Sequence, residues 1–100
     1  MKSPDPSGPA SIALAELRRG ESGVVNGLVP AALGTTEERD SMLARLRDLG
    51  FIPGARCEVL ARMWFGGDPL AVRIGGSTFA LRRVEAAVVR VTRAAPLALA

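Results

Sequence analysis

The chain has 100 residues, 48% of them hydrophobic, which is enough for one domain with its own core and no need of disulfides or a structural metal. Its single cysteine, Cys57, has no internal partner, and the absence of histidine removes the commonest general base and transition-metal ligand, so the composition fits a reducing compartment and excludes most catalytic constellations. The formal charge is +3, yet between Ile12 and Thr92 eleven basic residues meet nine acidic ones, the balance of an ordinary solvated surface.

Residues Met1–Ser11 hold three prolines and no apolar block, so the segment lacks the hydrophobic centre of a signal peptide and reads as a disordered leader. Ser11 precedes the apolar run Ile12–Leu17, with Arg18, Arg19 and Gly20 behind it, the signals of one short helical turn. Gly23–Val29 is β-branched and bounded by glycine and proline, which predicts a first strand with Gly27 marking a bulge.

The clearest helix spans Glu37–Leu49. Met42, Leu46 and Leu49 line one face, Thr35 with Glu38 forms a capping pattern, and Gly50 followed by Pro53 ends the helix. The period then changes to two. Cys57, Val59, Ala61 and Met63 alternate with Arg56, Glu58, Leu60 and Arg62, which predicts a half-buried strand. A turn at Phe65–Pro69 leads to the strand Leu70–Ile74, and Gly75-Gly76 supplies a tight hairpin whose return strand carries Phe79 and Leu81. A turn or single helical turn at Val84–Ala87 precedes a last strand at Val88–Val91. The tail Arg93–Ala100 is apolar but broken by Pro96, and it is far shorter than the ~20 residues needed to cross a bilayer. The expected organisation is a leader over 1–11, one domain over 12–92 and a flexible tail over 93–100.

Five short strands and one helix predict a mainly β fold, closed into a small barrel because an open sheet would expose long edges. The expected core is Val25, Leu46, Leu49, Val59, Val72, Ile74, Phe79, Leu81 and Val91.

The order of signals resembles the FeoA family. The resemblance is carried by Leu14-x-x-Leu17-x-x-Gly20, then Arg45-Leu46-x-x-Leu49-Gly50-Phe51-x-Pro53-Gly54, then Gly67-Asp68-Pro69-Leu70, then Ala80-Leu81-Arg82-Arg83-x-Glu85-Ala86. It implies a five-stranded SH3-like barrel with an inserted helix, related in architecture to the C-terminal domain of iron-dependent repressors. It also implies a non-catalytic cytoplasmic role in ferrous iron uptake, with the membrane GTPase FeoB as partner.

Candidate sites are few. Glu37, Glu38 and Asp40 crowd one helical turn, where acids serve the helix dipole and cap, so they predict no metal centre. Cys57 sits on the apolar face of its strand and reads as a small hydrophobe. No cofactor is implied, although a weakly held divalent metal is compatible with these side chains. A metal-sensing module using surface carboxylates and Cys57 is therefore the second reading. A nucleic-acid-binding barrel is the third, and it is disfavoured because Trp64, three phenylalanines and no tyrosine offer little for bases to stack on. Arg18-Arg19 and Arg82-Arg83 are the only basic doublets and fit a solvated edge. The predicted partner contact is Trp64 and Phe65, two aromatics at a glycine-rich strand end, flanked by Arg82. Trp64 shares parity with Arg56, Glu58, Leu60 and Arg62, which places it on the solvent side. Direct membrane insertion is not expected, and a weak homo-oligomer is compatible with the sequence.

Overall fold

Six antiparallel strands form one sheet in this computed structural model, which describes residues 10–29, 34–63 and 68–94. They are β1 (Ile12–Ala13), β2 (Ser22–Leu28), β3 (Arg56–Arg62), β4 (Leu70–Ile74), β5 (Ser77–Leu81) and β6 (Val89–Ala94). The order across the sheet is β1-β6-β2-β3-β4-β5, which leaves β1 and β5 as the outer strands. All five expected strands are present, but the sheet does not close into the expected barrel, because the outer strand β1 is only two residues long and does not pair with β5. The sixth, β1, takes Ile12–Ala13 from the expected helical turn because β6 offers it a ladder, pairing Ile12 with Val91 and Ala13 with Arg90. What remains of that turn is a single 3-10 turn at Leu14–Glu16.

Helix α1 (Thr36–Leu49) inserts between β2 and β3, and helix α2 (Arg83–Val88) between β5 and β6. Thr35 caps α1 as the sequence predicts: its Oγ1 accepts from Glu38 N–H at 3.1 Å, and the Glu38 carboxylate returns to Thr35 N–H at 3.3 Å. At the other end Gly50 takes φ 110°, a left-handed conformation that costs a side-chain-bearing residue. Gly50 N–H bonds Arg47 C=O and Phe51 N–H bonds Leu46 C=O, each at 3.0 Å, so the orphaned carbonyls are satisfied and the chain doubles back. This reversal drives Phe51 into the core, where it is fully buried. The Leu-Gly-Phe signature is thus a helix stop whose last residue is a core anchor.

Two bulges re-aim the strands. Pairing of β2 with β6 shifts between Val25 and Gly27, where the sequence predicts a bulge. Pairing of β3 with β4 shifts between Val59 and Ala61, and that second bulge has no signal in the sequence. Val59 lies opposite Val72, but Ala61 opposite Ala71 and Arg62 opposite buried Leu70, so parity reverses along β3. Met63, expected on the apolar face, is 48% exposed as a result.

The core joins Val25, Leu46, Val59, Val72, Ile74, Leu81 and Val91 to Leu14, Leu17, Phe51, Leu70, Val88 and Val89. Leu49 and Phe79 pack against it half-buried. Among the described residues no buried side-chain nitrogen or oxygen lacks a hydrogen-bond partner. Leu46 is the one fully buried residue of α1 and ties that helix to the sheet. Leu46→Ala is expected to lower unfolding stability by about 2–5 kcal/mol in urea titration, the cost of an aliphatic cavity.

Candidate partner-binding surface

Helices α1 and α2 meet at one carboxylate. The Glu85 side chain is 2% exposed; it bonds the guanidinium of Arg45 from α1, accepts Arg82 N–H at 2.8 Å, and has Arg82 Nε at 3.6 Å. A buried carboxylate needs both charge and donors to offset its desolvation, and this one receives them from two elements. Glu37, Glu38, Ser41, Met42, Arg45, Arg82 and Glu85 line an open groove between the helices. The sequence signal for Glu85, an acid at the third position of a short helix, marks a cap but carries no hint of burial.

Arg82, the predicted polar flank, lies just past β5 with its side chain 69% exposed. Its neighbour Arg83 opens α2, and Arg83 N–H bonds the Asp68 carboxylate at 2.9 Å. Met63 N–H bonds Pro69 C=O at 3.1 Å, so both ends of the segment between Met63 and Asp68 are fixed beside the start of α2. The two aromatics placed on that segment, Trp64 and Phe65, lie outside the described residues. The regular alternation used to orient Trp64 ends at the β3 bulge.

Arg62, read as a solvent-facing residue of β3, points its guanidinium at the 3-10 turn. It bonds Leu17 C=O at 3.2 Å through Nε and reaches Ala15 C=O through Nη2. An always-charged fork on carbonyls that the turn leaves unpaired is a structural clamp.

Four acidic groups are occupied locally. Glu16, Glu21, Glu38 and Glu85 each accept the backbone N–H three residues ahead, from Ala13, Arg18, Thr35 and Arg82, at 2.7–3.3 Å. The bond from Arg18 N–H holds the Glu21 carboxyl below its ordinary value. Among the described residues no group of three His, Cys, Asp or Glu side chains is placed to hold a metal ion. Cys57 is 1% exposed, with Sγ donating to Gly23 C=O at 3.5 Å, and burial pushes its thiol up to about 11. The thiolate needed for metal ligation or nucleophilic attack is therefore suppressed at neutral pH.

A family model of the FeoA domain matches residues 12–93. Among solved structures, the zinc complex of Stenotrophomonas maltophilia FeoA is 38% identical, with TM-score 0.67 over 80% of this chain and 88% of that one. That protein is described as a prokaryotic SH3-domain protein and a candidate ferrous iron transport activating factor. FeoA from Chlorobium tepidum is 32% identical, with TM-score 0.65 over 84% of this chain and 71% of that one. A manganese-dependent transcriptional repressor in complex with manganese is 27% identical, with TM-score 0.71 over 88% of this chain but only 39% of its own. No curated protein is significantly similar to the chain.

Two outcomes follow from the buried groups. Arg45→Met is expected to destabilise the fold by about 2–4 kcal/mol, because the Glu85 carboxylate stays buried without its charged donor. Adding Glu85→Gln is expected to restore at least half of that loss in the same urea titration. For Cys57, whose value rises from 9.0 to about 11 on folding, the protonated thiol's contribution is intact below pH 9 and is lost as pH climbs through 11. Unfolding midpoints are expected to fall across that window in the wild type and to stay flatter in Cys57→Ala, since the chain has one lysine and neither tyrosine nor histidine.

Proposed function

The chain belongs to the FeoA family, and on that premise we propose that it is a non-catalytic cytoplasmic regulator of ferrous iron uptake that binds the cytosolic part of a FeoB-type transporter. The observation that carries this reading is the family match across 12–93, with the SH3-like architecture it shares with FeoA of known structure. The chemistry of the described surface supports a binding role over catalysis. Its buried carboxylate is a helix cross-link, its thiol is held protonated, and the exposed Glu16 and Glu38 cap backbone. None of the described helices is long and apolar enough to cross a membrane. The contact we assign is Trp64 and Phe65, flanked by Arg82 and by exposed Met63.

The zinc in the S. maltophilia structure favours one second reading, a divalent-metal sensor whose affinity for its partner changes on metal binding. The two separate in one calorimetric series. The first reading expects the full chain to bind the transporter's purified cytosolic part with an affinity that ferrous ion leaves unchanged, and expects no saturable one-to-one uptake of ferrous ion by the chain alone. A metal-dependent partner affinity transfers the assignment to the sensor, and failure to bind the transporter part in either condition overturns both. Trp64→Ala is expected to weaken that complex by about 2 kcal/mol, roughly thirtyfold, with the unfolding midpoint unchanged.

A further inference from the structure

The two ends of the sheet are guarded very differently. β1 contributes only two residues, too short an edge to template another strand. β5 is a full five-residue strand at the other edge, paired to β4 in unbroken register and carrying no proline, bulge or lysine. Ile74 and Ser77 flank the two-residue turn Gly75-Gly76, both at positive φ, and residues that flank such a turn form a hydrogen-bonded pair. The alternation that follows turns the N–H and C=O of Ser77, Phe79 and Leu81 toward β4. Those of Thr78 and Ala80 turn away from the sheet. Both residues are exposed, and no described group bonds their backbone.

The charge excess also gathers here. Residues 70–83, the β4–β5 hairpin and the doublet behind it, contain three arginines and no acid, leaving ten basic and ten acidic residues in the rest of the chain. Arg73 stands 3.6 Å from Glu58 and Arg82 stands 3.6 Å from Glu85, whereas Arg83 enters no ion pair among the described residues.

We infer that the β5 edge is a strand-addition site, and that its occupant is an extended segment of the transporter's cytosolic part, running antiparallel to β5 with acidic residues opposite Arg82 and Arg83. This rests on the proposed partnership and specifies its contact. Thr78 and Ala80 supply two donors and two acceptors, and the arginine doublet fixes direction by charge. The same charge opposes a second copy as occupant, because β5 carries no acidic residue to meet the arginine doublet of another copy.

The test uses Ala80→Pro. The Ala80 N–H plays no part in the β4 ladder, and proline is tolerated at outward-facing positions of edge strands, so the fold is expected to survive by circular dichroism and thermal midpoint. Binding to the transporter's cytosolic part is expected to weaken at least tenfold, and Arg83→Glu to weaken it while flattening its salt dependence. Independently of that partner, the acidic probe Ac-Asp-Asp-Val-Thr-Val-Thr-NH2 at millimolar concentration is expected to shift the amide resonances of Thr78 and Ala80 in the full chain, and its Asn-Asn analogue to shift them less. Wild-type affinity in a folded Ala80→Pro variant overturns the edge site and leaves the partnership standing. Failure of the wild type to bind the transporter part overturns the partnership, and the probe then decides the edge alone: shifts at Thr78 and Ala80 support it, and none overturn it. Self-association that Ala80→Pro abolishes assigns the edge to a second copy instead.

Discussion

A single buried carboxylate, Glu85, holds the helices of this small protein in register with its sheet. The sheet is built by hydrogen bonds between strands, but α1 and α2 are separated in sequence by three strands and need a link of their own. Glu85 gives it by taking charge from Arg45 on α1 and a backbone donor from Arg82 at the start of α2. The arrangement is asymmetric. Arg45 keeps half its surface in water while Glu85 keeps almost none, so the arginine relieves the carboxylate at little desolvation cost to itself. Arg82 follows β5 directly, and the same contact therefore fixes where the edge strand ends and where its charged flank begins.

A second cation has a comparable structural task at the other side of the fold. Arg62 reaches the carbonyls of the 3-10 turn only because the bulge in β3 reverses the direction of its side chain. Without the bulge, Arg62 would face solvent and the turn at Leu14–Glu16 would leave its carbonyls to water. The apparent disorder in one strand thus secures a segment that carries two core leucines, Leu14 and Leu17.

These tasks absorb much of the protein's polar chemistry. Carboxylates cap turns, guanidinium groups clamp carbonyls, and the lone thiol is buried against Gly23. What remains for recognition is backbone at an open sheet edge, a few exposed apolar side chains and a local excess of arginine. That inventory suits a domain whose function is to contact another protein. It is consistent with the ferrous iron transport association of the FeoA family to which the chain belongs.

Local signals determined much of the architecture from sequence alone. The capping pair Thr35 and Glu38, the Gly50 stop, the hairpin at Gly75-Gly76 and the β2 bulge near Gly27 are legible because each depends on residues within a few positions of one another. Most of the expected core was legible for the same reason, since period alone selects which face is apolar. Tertiary structure decided what depends on distant partners. β1 exists because β6 pairs with it, Phe51 is a core anchor because the helix stop aims it inward, and Glu85 is buried because Arg45 arrives from forty residues away. The β3 bulge was invisible because a register slip changes no residue type, and it removed the parity on which the orientation of Trp64 had rested. Composition counted the excess positive charge correctly, but only the pairing of β4 with β5 showed that part of it borders an edge that no described strand pairs.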